Sequence, residues 1–147
     1  MCSIFCCTSK NVDQERMRRC FYRTVSRGPD MTALEETPSG WMGFHRLAIM
    51  GLNAEGMQPF WMGKNRLVCN GEIYGFRPMK RELEQKGYAF HSESDCEILL
   101  PLYAEHGMGM FRMLDAEFAL VLYDGETGEY IACLLYTSPS PRDSTSS

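Results

Sequence analysis

Apolar residues alternate between short, strand-like runs and stretches with helical spacing, and this pattern divides most of the chain. Residues 3–7 form a short apolar run that predicts a buried strand. From Asp13 the spacing becomes helical, with Met17, Cys20, Phe21 and Val25 at i, i+3, i+4 and i+8 facing inward. Arg16, Arg18 and Arg19 fall on the opposite, solvated face. Arg27-Gly28-Pro29-Asp30 ends that helix in a turn, since glycine permits positive φ and proline cannot continue the ladder. Residues 40–50 read as a strand, residues 52–59 as a loop, and residues 66–69 as a second strand.

The strand of residues 66–69 is expected to stop at Asn70-Gly71-Glu72-Ile73-Tyr74. Asn-Gly is a frequent turn dipeptide, leaving Glu72 exposed. The alternative is an amide side chain and a glycine N–H held at a rigid strand end, which suits stabilisation of an oxyanion. A helix is expected over residues 78–86, with Pro78 at its start and Gly87 beyond its end. Ser94-Asp95-Cys96-Glu97 matches a capping box. It opens a helix whose Ile98, Leu99, Leu102 and Tyr103 share a face, with a kink or late start because of Pro101. Two strands, residues 117–123 and 129–133, flank a hairpin turn at residues 124–128. From Thr137 onward every residue except Arg142 and Asp143 is Ser, Thr or Pro, which predicts disorder.

The length of 147 residues fits one domain with a sizeable core. A net charge of −4, without a long basic run, argues against nucleic acid as a partner. No apolar run reaches the roughly 18 residues of a membrane span. Seven cysteines without paired Cys-x-x-Cys spacing argue against a disulfide framework or a zinc site, and predict a reduced, cytoplasmic setting.

The candidate chemistry begins at Cys2. Once the initiator methionine is removed, a cysteine there carries both a nucleophile and a base. An α-amino group with an ordinary pKa of roughly 7.7–8.0 can take the proton of a thiol near 8.5. No partner histidine is then needed. The bland alternative is a small buried residue at a strand start. Arg46 either snorkels to the surface or offers a bidentate fork to a carboxylate. Asp95 is either a dipole-favoured acid in a first helical turn or the receiver of a cationic group.

Taken in order, MCSIF at the start, RGPD at 27–30, HRLAI at 45–49, QP at 58–59, NGEIY at 70–74, SDCEILL at 94–100 and FALVLYD at 118–124 resemble one family. It is that of the class II glutamine amidotransferases, most closely the glutaminase domain of glutamine-hydrolysing asparagine synthetases. The resemblance implies an α+β fold, the N-terminal-nucleophile four-layer αββα sandwich, over residues 1–133 and incomplete at its C-terminal end. It implies that Cys2 attacks the glutamine side-chain amide, with Asn70 and Gly71 forming the oxyanion hole. Arg46 would bind the substrate α-carboxylate, and the backbone of Leu47, Ala48, Ile49 and Met50 would line the pocket. Glu72 and Asp95 would receive the α-ammonium.

No cofactor is implied for this domain; ATP and magnesium belong to a synthetase domain that would receive the ammonia and is absent here. The full-length protein would be compatible with a homodimer. Ser26, Gly75 and Ala116 stand where the family usually has histidine, asparagine and glycine. None of the three carries an expected catalytic role. Beyond Ala132 the likeness stops, and residues 134–147 read as a disordered, non-native tail. Missing strands would leave apolar faces and sheet edges uncovered.

Overall fold

The computed structural model describes residues 2–48 and 54–137. Two antiparallel sheets carry the architecture. The first has the order β1 (Ser3–Cys7), β3 (Gly40–Arg46), β2 (Met31–Thr37). The second has the order β4 (Phe60–Met62), β5 (Asn65–Tyr74), β6 (Asp115–Asp124), β7 (Glu129–Tyr136). Helix α1 (Gln14–Tyr22) follows β1, while α2 (Phe76–Gln85) and α3 (Leu99–His106) lie between β5 and β6.

The sheets meet through side chains two residues apart along each strand, which share a face. Met42 and Phe44 of β3 pack against Val68 of β5 and Tyr123 of β6, with Cys2, Ile4, Val121 and Tyr130 around them. The remaining face of the first sheet meets α1, where the Phe21 ring lies 5.3 Å from Phe5 and stacks on His45 at 4.0 Å. The remaining face of the second sheet presents Leu67, Cys69, Ile73, Phe118, Leu120 and Leu122 to Leu83 of α2 and to Leu99 and Leu102 of α3. This is a mixed α/β domain built on antiparallel sheets, with the apolar period of two split between two cores.

Helix α1 begins where the sequence predicts, because Asp13 Oδ1 accepts from the N–H groups of Glu15 and Arg16 at 3.0 and 3.2 Å. Its buried stripe is narrower than expected. Met17 and Phe21 are buried, Cys20 is exposed, and Val25 belongs to a separate 3-10 turn, Val25–Arg27, because the helix stops at Tyr22. The turn at Gly28 also has a different cause from the expected positive φ. Its φ is −145°, and a Cβ there would lie 2.2 Å from the His45 carbonyl oxygen. Close approach of two backbones, rather than handedness, excludes a side chain.

The Asn70-Gly71 pair is not a turn. β5 runs through it, pairing without interruption from Arg66 opposite Tyr123 to Tyr74 opposite Asp115. Partner strands override the local preference of the dipeptide. Pro78 and Pro101 each occupy the third position of their helices, where no intrahelical N–H partner is lost. The 3-10 turn Asp95–Ile98 precedes α3, which is the late start that Pro101 predicts. The capping box forms only in part. Ser94 Oγ accepts from Cys96 N–H at 3.3 Å, but Glu97 turns back to His91 N–H, Ser92 N–H and the Ser92 hydroxyl at 2.9, 2.9 and 2.6 Å.

β7 extends to Tyr136, pairing Leu134 with Ala119 and Leu135 with Phe118. Residues 134–136, assigned to a tail by the sequence, thus lie in a strand, paired with β6 and with Leu135 packed against the core in phase with Ile131 and Cys133. Leu134 and Tyr136 are nevertheless 83% and 67% exposed, so this end of the sheet is bare on one face.

Candidate active site

Cys2 immediately precedes β1. Since Ser3 pairs with His45, Cys2 lies beside the end of β3, where the chain leaves the sheet. There the Leu47 N–H donates to Cys2 Sγ at 3.4 Å, and the thiol lies 3.9 Å from the Leu47 carbonyl oxygen. The segment holding Leu47 is itself tied down. The Asp30 N–H donates to the Arg46 carbonyl at 3.0 Å, and Asp30 Oδ2 accepts from the Ala48 N–H at 2.8 Å. The turn that ends at Asp30 therefore sets the position of the backbone beside the thiol.

The opposing wall comes from β5. Val68 faces the first sheet, so by the two-residue period Asn70 and Glu72 face it as well. A cavity of about 650 Å³ lies between the walls, and its lining among the described residues includes Cys2, Leu47, Asn70, Gly71, Glu72 and Glu117. Phe118, Ala119, Leu134 and Leu135 complete the described lining. A thiol, an amide side chain, a glycine backbone and a carboxylate thus share one cleft.

The other expected residues stand apart from that lining. Arg46 follows Phe44 by two residues on β3, and its guanidinium lies 3.8 Å from Met31 Sδ. Asp95 heads the 3-10 turn before α3, and its Oδ2 accepts from the Ile73 N–H at 2.7 Å. Ala48 contributes its N–H to Asp30. Ile49 and Met50 lie outside the described residues.

Residues 1–133 match the model of one family, the glutamine amidotransferase domain. The chain belongs to that family, the class II glutamine amidotransferases. Its relatives include a probable glutamine-hydrolysing asparagine synthetase of Acanthamoeba polyphaga mimivirus, 37% identical over 84% of this chain and 24% of the relative. The glutamine-hydrolysing asparagine synthetase of Sandersonia aurantiaca is 32% identical over 90% of this chain and 26% of its own length. Asparagine synthetase B of Escherichia coli is 33% identical over 89% and 24% respectively. The chain therefore spans about a quarter of the length of these relatives.

Three residues of this amidotransferase domain have structural duties that the sequence does not disclose. His45 is fully buried; its Nε2–H donates to the Phe21 carbonyl at 2.9 Å, which leaves Nδ1 to accept from the Thr32 hydroxyl at 2.8 Å. Asp30 sets the segment at 46–48. Gln58 bonds to both backbone groups of Cys69, accepting its N–H at 2.6 Å and donating to its carbonyl at 3.0 Å. The RGPD, HRLAI and QP motifs marked these positions, but their partners lie 11 to 24 residues away.

Three thiols outside that cleft, Cys6, Cys96 and Cys133, are pushed up from the ordinary thiol value. Burial, then the neighbouring Cys7, pushes Cys6 up to about 11. Cys96 is raised by its hydrogen bond to Cys69, 3.2 Å between sulfurs, and then by burial. Burial, then Cys69, raises Cys133. Among the described residues no group of three His, Cys, Asp or Glu side chains converges to hold a metal. No described helix is long and apolar enough to cross a membrane.

Proposed function

We propose that this domain hydrolyses the side-chain amide of glutamine to glutamate and ammonia through a thioester on Cys2. The observation that carries the reading is the position of Cys2 Sγ against the Leu47 N–H, in one cleft with Asn70, Gly71 and Glu72. With Met1 removed, the Cys2 α-amine takes the thiol proton and the sulfur attacks the amide carbon. The oxyanion that develops is stabilised by the Asn70 side-chain amide and the Gly71 N–H. The protonated amine then gives its proton to the departing ammonia, and water cleaves the thioester.

Glutamine is a zwitterion, so a selective site must meet both of its ends. Arg46 holds the α-carboxylate through its planar fork. Glu72 and Asp95 receive the α-ammonium, and the backbone from Leu47 to Met50 forms the pocket wall. The helices outside two facing sheets support the four-layer αββα arrangement of N-terminal nucleophile enzymes. In the full-length protein the ammonia passes to a synthetase domain that forms asparagine, the reaction named for the relatives. The free state of the described cysteines is consistent with a reduced cytoplasmic setting.

The test is glutamate release from glutamine by the purified 147-residue chain beside Cys2→Ala, with circular dichroism on both and intact mass to establish loss of Met1. Release that depends on Cys2 is the expected result. A folded chain with a free Cys2 amine and no release overturns the proposal and favours a non-catalytic binding role.

A further inference from the structure

β5 is paired with β6 from Arg66 to Tyr74, but β4 covers only the first residues of its other edge. Phe60 pairs with Leu67, and continuing that antiparallel register places residue 58 opposite Cys69. No backbone ladder bond is made there by Gln58; its buried side-chain amide makes both bonds instead, to the Cys69 N–H and carbonyl. Four residues on, Asp95 Oδ2 accepts the Ile73 N–H in the same way. Gly71 lies midway between these two clamps. By the two-residue alternation of strand N–H groups, its N–H points to the same edge, between the amide and the carboxylate.

We infer that Gln58 is a positioning residue for the oxyanion-stabilising groups: it substitutes for a strand at Cys69, so that the following Asn70 and Gly71 are held while the Gly71 N–H stays open to substrate. This rests on the proposed glutaminase chemistry. A fourth-strand residue in place of the side chain would extend the ladder toward Gly71 and compete for that N–H. A side chain that ends in one donor and one acceptor stops the ladder after a single residue. An aliphatic side chain in place of Gln58 leaves both Cys69 groups without their partner and frees the strand to shift.

The test uses the 147-residue chain with Gln58→Leu and Gln58→Glu, each followed by glutamine hydrolysis and by iodoacetamide alkylation of Cys2, read by peptide mass. Alkylation is displacement at a saturated carbon and develops no oxyanion. For Gln58→Leu, kcat should fall on the order of 10²-fold with KM within about threefold, while the Cys2 alkylation rate stays within about twofold. Gln58→Glu supplies a pH signature. A neutral carboxyl can replace both bonds and a carboxylate cannot, so its kcat relative to wild type should rise as pH falls from about 8 to about 6.

A folded Gln58→Leu with kcat within about twofold of wild type overturns the assignment. So does a parallel fall of hydrolysis and alkylation, which would mark a general structural role. If Gln58→Leu does not fold, the Gln58→Glu profile decides, and a flat ratio overturns the assignment. A wild-type chain that is alkylated at Cys2 yet releases no glutamate overturns the proposed function, and this assignment with it.

Discussion

The Leu47 N–H donates to Cys2 Sγ at 3.4 Å, linking residues 45 apart in sequence at the point where β3 ends and β1 begins. The bond exists because Asp30 holds the backbone on either side of Leu47, through Arg46 and Ala48. Asp30→Ala removes the acceptor for the Ala48 N–H at an exposed site, so its cost in stability should be only about 1 kcal/mol. Its effect on glutamine turnover should be larger, about tenfold or more, since a small displacement beside the proposed nucleophile is costly. Asp30→Asn keeps an acceptor and should remain close to wild type. Thermal melts beside glutamate release check this; unchanged turnover in Asp30→Ala would remove the turn from the site.

Gly71 is where the fold and the proposed chemistry make the same demand. Its φ is +153°, and a Cβ would lie 2.0 Å from the Glu117 carbonyl oxygen and 2.5 Å from Phe118 Cα. Gly71→Ala should therefore destabilise the domain by about 3 kcal/mol or more. Gly109→Ala, with nothing within 4 Å of its Cβ, should stay within about 0.5 kcal/mol. Urea unfolding of the pair measures the contrast, and equal midpoints would contradict the packing at Gly71.

A hydrogen bond from helix to sheet should govern stability at both pH extremes. The Tyr103 hydroxyl donates to Asp124 Oδ2 at 2.7 Å. It lowers the Asp124 carboxyl below its ordinary 3.8, and it raises the Tyr103 phenol from 10.0 to about 12. The carboxylate's contribution is present above 3.8 and is lost as pH falls through the depressed value. The phenol's is present below 10.0 and is lost as pH rises toward 12. Subtracting the melting temperature of Tyr103→Phe from that of wild type should give a plateau between these limits that declines on both sides. A difference independent of pH would refute the link.

How much of this was legible in the residues follows from the range of each signal. The onset of helix at Asp13, the strand from Ser3 and the hairpin after Asp124 are local, and the structure reproduces them. β2 was missed because Met31–Thr37 lacks alternation and exists as an edge strand through its pairing with β3. β4 has three residues, too few for any period. At the site, Cys2, Asn70 and Glu72 stood out through their order in the chain, and the structure places all three in one cleft. Gln58 and Asp30 carried no readable role, because each acts on backbone distant in sequence and no residue pattern encodes that.

Asp95 joins the two kinds of information, since it already bonds to Ile73 N–H and is also expected to meet the substrate ammonium. These duties can be separated by charge. Asp95→Asn keeps a carbonyl oxygen for Ile73 but loses the negative charge, so melting should be nearly unchanged. If the carboxylate binds the ammonium, KM for glutamine should rise about 10-fold or more, the worth of one hydrogen bond to a charged group. Asp95→Leu removes both functions, and leaving the Ile73 N–H without an acceptor adds a stability cost of about 1–3 kcal/mol. The two variants should thus share a raised KM and differ in melting temperature. An Asp95→Asn enzyme with wild-type KM would restrict Asp95 to holding the edge of β5, leaving Glu72 to meet the ammonium alone of the two.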